Sequence, residues 1–225
     1  MTWLAIDTST ELASVAILHE DKLFTLEKEG RSHHAQCLLP MIEQLLKEAK
    51  LSISDLDAII FGRGPGSFTG LRIACSVAKG LAYAHDLPLY PVSSLEAIAN
   101  EVYAQEGISF ADTPVLSVID ARMQEVYWTY FTKDSLYTEE KVTPASDVQV
   151  NGQSSILLAG VGFEAYEHLF SDVIQSRIVK QCRVFPTARA MIRIVQNGQI
   201  NSITAEEALP VYVRNQVTQG GASSG

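Results

Sequence analysis

The alternation of apolar and polar positions divides the chain into two stretches that open in the same way. A buried strand is predicted at Trp3–Asp7, then a turn rich in Thr and Ser, a strand at Ala13–Leu18, a tight turn at His19–Asp21 and a third strand near Leu23–Glu27. This is an antiparallel meander. Ala35, Leu38, Leu39, Met41, Ile42, Leu45, Leu46 and Ala49 then recur at helical spacing, with Gln36, Pro40, Glu43 and Lys47 opposite. Pro40 lacks the N–H that a helix interior needs, so it predicts a kink or the true start of this helix. A short apolar strand, Ala58–Phe61, leads into the glycine-rich loop Gly62–Gly70, a helix from about Leu71 to His85, and a strand at Leu89–Val92. Ser93 and Glu96 stand at capping-box spacing, which starts the next helix at Ser93 or Ser94 and carries it to about Tyr103.

The second stretch repeats the opening: a strand at Val115–Asp120, an alternating strand at Glu125–Phe131, a turn at Lys133-Asp134 and a strand at Leu136–Tyr137. A shift of 113 positions places Asp7 on Asp120, Asp21 on Asp134, Leu23 on Leu136, Phe24 on Tyr137 and Thr25 on Thr138. Beyond it the pattern predicts a strand at Ile156–Ala159, a Gly160-Val161-Gly162 turn, a helix through Tyr166–Phe170, a strand near Ile178–Gln181 and a helix near Thr187–Gln196. Two meanders, each followed by helix–strand alternation, imply an α/β protein with mixed sheets. The expected division is residues 1–106 and 107–218, with the last segment packing back on the first lobe and a disordered tail at 219–225.

Composition narrows the function. With 225 residues, 47% hydrophobic and 19% charged, the chain can bury a sizeable core. The three cysteines, Cys37, Cys75 and Cys182, are widely spaced and odd in number, which predicts a reducing compartment without a disulfide framework. No basic segment followed by a long apolar run opens the chain, and no run approaches the roughly 20 residues that span a bilayer, so a cytoplasmic protein without membrane contact is expected. A formal net charge of −9 argues against autonomous nucleic-acid binding, which draws its affinity from Lys and Arg neutralising phosphates.

Candidate chemistry concentrates at the strand ends. The glycine loop joins a strand to a helix, where backbone N–H groups could hold an anion. It nevertheless lacks the Lys-Ser/Thr pair of a Walker A loop, and Ser67 and Thr69 spoil a Gly-x-Gly-x-x-Gly reading. Glycines that let a turn pack against neighbouring backbone are the favoured explanation. Asp7 and Asp120 each end a first strand, so they could face each other across a cleft or simply bond to their own turns. The candidate cleft residues are Asp7, Thr8, Ser9, Gly64, Gly66, Ser67, Asp120, Arg122, Gly160 and Gly162. His33 and Cys37, one turn apart, read as a solvated helix end and not as a metal site. No serine-hydrolase elbow or zinc-protease His-Glu-x-x-His is present.

The Leu71–His85 helix carries only one polar stripe, Arg72, Ser76, Lys79 and Tyr83, so it is buried on more than one side. Its second contact is either the Ala35–Ala49 helix or another protein. The candidate partner surface comprises Leu38, Met41, Ile42 and Leu45 with Leu71, Ala74, Val77, Ala78 and Leu81, while Gly80 and the alanines would allow a close backbone approach.

Three runs carry a family resemblance: Asp7-Thr8-Ser9-Thr10, Gly62-Arg63-Gly64-Pro65-Gly66-Ser67-Phe68-Thr69-Gly70-Leu71-Arg72, and Ile119-Asp120-Ala121-Arg122-Met123-Gln124-Glu125-Val126-Tyr127. Together with Pro210-Val211-Tyr212-Val213-Arg214 they resemble the TsaB (YeaZ) family of tRNA threonylcarbamoyladenosine biosynthesis proteins. The resemblance implies a duplicated RNase H-like fold with two lobes, of the actin, sugar-kinase and Hsp70 ATPase type. It also implies a non-catalytic subunit that binds the catalytic paralogue TsaD through the two helices above. TsaE and TsaC are the further partners implied, with tRNA met only through the complex and a homodimer when the chain is alone. No cofactor is implied for the chain itself, ATP or ADP being a candidate within the complex. The paralogue carries a metal-binding His-x-x-x-His where this chain has Ser94 and Ile98, so neither a catalytic nor a metal-binding residue is expected. The alternatives are a nucleotide-dependent ATPase or kinase of the same superfold and a glycoprotease-like peptidase.

Overall fold

The computed structural model describes residues 1–30, 34–107, 113–132, 139–198 and 200–213. β1 (Thr2–Asp7), β2 (Leu12–His19) and β3 (Lys22–Glu29) form the first meander. β4 (Ala58–Gly64) and β5 (Leu89–Ser93) join it in parallel on the far side of β1, giving the order β3-β2-β1-β4-β5. The second sheet contains β6 (Val115–Arg122), β7 (Glu125–Phe131), β8 (Lys141–Pro144), β9 (Ile156–Val161) and β10 (Ile178–Arg183). Its order, β8-β7-β6-β9-β10, repeats the first position by position. The fold is therefore α/β, with two lobes built on mixed five-stranded sheets.

The duplication loosens at the third strand. Leu12 faces Glu29 across β2 and β3, whereas Glu125, 113 residues on, faces Pro144, 115 residues on. The strand expected at Leu136–Tyr137 lies outside the described residues, as do His33 and the tail at 219–225. The helix expected through Tyr166–Phe170 is instead two single 3₁₀ turns, Phe163–Ala165 and Glu167–Leu169, which tuck Phe163 and Phe170 into the core. Pro40 sits inside α1 (His34–Ala49) and is not its start. It lies on the solvent side, where a lost hydrogen bond exposes its carbonyl partner to water.

Helices and sheets together make five layers. α1 and α2 (Phe68–His85) cover one face of the first sheet, burying Leu38, Met41, Ile42, Leu45 and Ala78 against Leu4, Ile6, Ile59 and Phe61. α5 (Ala188–Gln196) covers the other face through Met191, Ile192 and Val195, although it comes late in the chain. α3 (Ser94–Glu106), from the first stretch, places Leu95, Ile98 and Val102 on the second sheet. The two stretches thus exchange their last long helices. The outer face of the second sheet is closed by the 3₁₀ turns and α4 (Asp172–Arg177). The final described segment returns to the first sheet, where Ile203 pairs with Leu89 and Val211 N–H donates to the Arg63 carbonyl.

Candidate functional site

The glycine loop and the turn after β1 are locked to each other. Ser67 N–H donates to the Ser9 carbonyl at 2.7 Å, and the Thr8 hydroxyl donates to the Gly70 carbonyl at 2.7 Å. Gly66 and Gly70 permit this approach: a Cβ would stand 2.3 Å from Ser9 O at the first and 1.8 Å from Thr8 O at the second. Ser67 then caps α2, its Oγ accepting from Gly70 N–H. Close backbone packing is thus a sufficient reason for these glycines.

Asp7 and Asp120 share one local geometry and differ in surroundings. Asp7 Oδ1 accepts from Ser9 N–H at 3.0 Å and from the Ser9 hydroxyl at 2.8 Å, and Asp120 Oδ1 accepts from Arg122 N–H at 2.7 Å. Each is a strand-end carboxylate closing its own turn. They do not face each other across a cleft. Asp7 is fully buried, its Oδ2 turned towards Gly62 and without a hydrogen-bond partner, whereas Asp120 lies in a cavity wall.

That cavity, about 370 Å³, runs between the lobes. It gathers Ser9, Gly66, Ser67, Asp120, Arg122 and Gly162 from the expected set, and adds Thr10, Phe68, Thr69 and Tyr127, which the family-like runs contain but the expected cleft set omitted, and Glu11, which no sequence motif marked. Asp7, Thr8, Gly64 and Gly160 do not line it. They are buried behind it, Gly160 because its Cα abuts the Val118 carbonyl. Among the lining residues two carboxylates, Glu11 and Asp120, face a single guanidinium, Arg122, which already pairs with Asp120 at 3.4 Å. The charged side chains of the lining thus carry a net negative charge.

Burial pushes the Asp7 carboxyl up to about 7, against the pull of the two Ser9 hydrogen bonds. The folded chain therefore holds a proton that an unfolded chain releases near pH 4, so this stabilising contribution is complete below about pH 4 and is lost as pH rises towards about 7. Asp7→Asn keeps the shape and removes the titration. Relative to the parent, it should gain stability progressively between about pH 4 and about pH 7. Urea unfolding at several pH values checks this, and parallel curves for the two proteins would refute it.

The expected partner surface needs correction. Leu38, Met41, Ile42, Leu45, Leu71, Ala74 and Ala78 are all buried within the chain itself, because the apolar stripes of α1 and α2 fold onto their own sheet. Val77 and Leu81 are half-buried. What α2 shows to solvent is the ridge Phe68, Arg72, Ser76, Gly80 and Ala84, four residues apart throughout, with Tyr83 beside it. Gly80 is exposed in mid-helix, and a Cβ there would meet nothing within 4 Å. Ser94 and Ile98 lie buried one turn apart on α3, the Ser94 Oγ without a hydrogen-bond partner. Among the described residues no three His, Cys, Asp or Glu side chains gather as a metal site, and no helix is long and apolar enough to cross a membrane.

Comparison with known proteins agrees with this architecture. Residues 28–186 match the family model described as "TsaD: tRNA N6-adenosine threonylcarbamoyltransferase". The chain is 33% identical to the tRNA threonylcarbamoyladenosine biosynthesis protein TsaB of Haemophilus influenzae, over 97% of this chain and 95% of that one. It is likewise 33% identical to the Escherichia coli TsaB, over 96% of each. The solved structure of YeaZ from Pseudomonas aeruginosa superposes with a TM-score of 0.82 at 38% identity, covering 94% of this chain and 99% of that one. With a two-lobed duplicated fold, a glycine loop clamped to the first turn and similarity along nearly its whole length, the chain belongs to the TsaB (YeaZ) family.

Proposed function

We propose that this chain is a non-catalytic subunit in the formation of threonylcarbamoyladenosine on tRNAs that read codons starting with adenosine, and that it acts by binding the catalytic paralogue TsaD. Family membership supports the pathway, since its curated relatives carry the name of that biosynthesis. The observation that carries the docking role is Gly80. A glycine in a helix interior costs roughly 1 kcal/mol relative to alanine, and among the described residues nothing lies within 4 Å of where its Cβ would stand. A second backbone approaching the α2 ridge gives that space a use. Half-buried Val77 and Leu81 flank the ridge, and exposed Leu39 extends the surface onto α1.

In this reading the chain works in the cytoplasm, the small ATPase TsaE and the donor-forming enzyme TsaC act with the complex, and tRNA is reached through it. The net charge of −9 supports an indirect tRNA role. No cofactor is needed by the chain alone. ATP or ADP belongs to the assembled complex, a view supported by the acidic lining of the interlobe cavity.

Gly80→Arg is the test. Arginine is the better helix former, so the isolated variant should melt a few degrees higher, by about 0.5–1 kcal/mol. Its side chain should nevertheless block co-elution with the separately purified paralogue, and the half-buried Val77→Arg should do the same. Two folded variants that still co-elute would remove the proposed surface. Modification of tRNA by the chain without the paralogue would remove the non-catalytic role.

A further inference from the structure

Arg72 is held in place with no anionic partner among the described residues. Its guanidinium lies over the Phe68 ring at 3.9 Å, and its Nε donates to the Tyr212 hydroxyl at 3.1 Å. The Phe68 and Tyr212 rings are themselves in contact, with centroids 5.2 Å apart. The stack and the Nε bond fix the guanidinium plane and leave both terminal nitrogens without an acceptor among the described residues. Every other described arginine has a carboxylate or carbonyl oxygen within 3.5 Å of a side-chain nitrogen. An unanswered guanidinium is unexpected on a chain with 26 acidic residues against 17 basic ones.

Its position is equally specific. Arg72 stands on the same ridge of α2 as Gly80, two steps of four residues away, and Phe68 beside it is 54% exposed. We propose that Arg72 is the anion-recognising residue of the α2 surface and that it receives an Asp or Glu side chain of the docked protein. The inference rests on the α2 docking role and adds the chemistry of the partner. A rigid planar fork with two free N–H₂ groups matches a carboxylate end-on, and lysine cannot reproduce either the fork or the stacking. Arginine beside an exposed aromatic ring is also the composition of a protein-interface anchor. An RNA backbone would need a row of free cations. Lys79, the next cation on the helix, is committed to the Glu206 and Ala208 carbonyls.

The probe is the purified TsaD paralogue, titrated calorimetrically at several salt concentrations. Arg72→Ala should weaken binding by about tenfold or more and flatten its salt dependence, with the melting temperature unchanged. Arg72→Lys should restore only part of the affinity, and Tyr212→Phe, which keeps the ring and loses the hydroxyl, should cost a few-fold. If Gly80→Arg abolishes binding while Arg72→Ala matches the parent within about twofold, the carboxylate contact is overturned and the α2 surface stands. If Gly80→Arg binds normally, the surface itself falls. If Arg72→Ala spares the protein complex but weakens tRNA binding by the assembled complex, the residue reads phosphate and the proposal is wrong.

Discussion

Gly70→Ala is expected to leave little folded protein. Its Cβ would lie 1.8 Å from the Thr8 carbonyl oxygen and 3.0 Å from the carbonyl carbon, and both are backbone atoms that no rotamer change can move. Relief requires parting the first turn of α2 from the turn after β1. That motion breaks the Thr8-to-Gly70 and Ser67-to-Ser9 hydrogen bonds and uncovers the buried Leu71 and Ala74 side chains. The combined cost should exceed about 4 kcal/mol, a large fraction of the 5–15 kcal/mol typical of a domain. Gly80→Ala on the same helix is the control. With nothing within 4 Å, it should stabilise by roughly 1 kcal/mol. Urea denaturation of both variants decides the matter, and a Gly70→Ala protein within about 1 kcal/mol of the parent would show that the loop is not a close-packed clamp.

The contrast between these two glycines shows what a linear reading can and cannot see. Both stand in one helix and look alike as letters. Only the turn after β1, some sixty residues earlier in the chain, distinguishes them. Local signals were legible: the alternation of both meanders, the Ser93 cap whose Oγ accepts from Glu96 N–H at 3.3 Å, and the helical stripe through Leu38 and Leu45. Non-local choices were not. An amphipathic stripe says that α3 and α5 must be covered but not by which sheet, and the structure crosses them over. The same limit misplaced the partner surface, because seven of its nine residues satisfy their hydrophobicity inside the chain.

At the cleft the difficulty was direction. A strand-end aspartate closes its turn with one oxygen, and nothing local says where the other points. Asp7 turns inward to Gly62 while Asp120 borders the cavity. The β6–β7 turn was equally opaque. Arg122, Met123 and Gln124 all adopt positive φ, of 68°, 55° and 63°, in a turn that normally selects Asn-Gly. The conformation is held by the Asp120 carboxylate and the flanking strands, so a Met-Gln tip carries no sequence signal for it.

Glu101→Ala should destabilise both lobes together. The Glu101 carboxylate lies on α3 with its side chain 3% exposed, and it is gripped from α5 by Arg189 Nε at 3.0 Å and Arg193 Nη2 at 2.7 Å. The Thr187 hydroxyl, which also caps α5, donates to the second oxygen at 3.0 Å. Burial raises the carboxyl's pKa, but the hydrogen bonds and charges of the two arginines outweigh it and hold the group below the ordinary glutamate range. Its contribution is therefore present above about pH 4 and is lost as pH falls through the depressed value. Removing the carboxylate leaves two guanidiniums turned towards a buried gap, a loss of about 3–5 kcal/mol, at the lower end because both arginines are about one-third exposed and can turn to water. Removing either arginine alone should cost less, since the other still answers the charge. α3 covers the second sheet and α5 the first, so loosening their tie uncovers both cores at once. The loss should accordingly appear as a shift of one cooperative unfolding transition, with intrinsic fluorescence and circular dichroism moving together. Two separated transitions in the parent protein, or a Glu101→Ala variant as stable as the parent at neutral pH, would show that the exchanged helices do not couple the lobes.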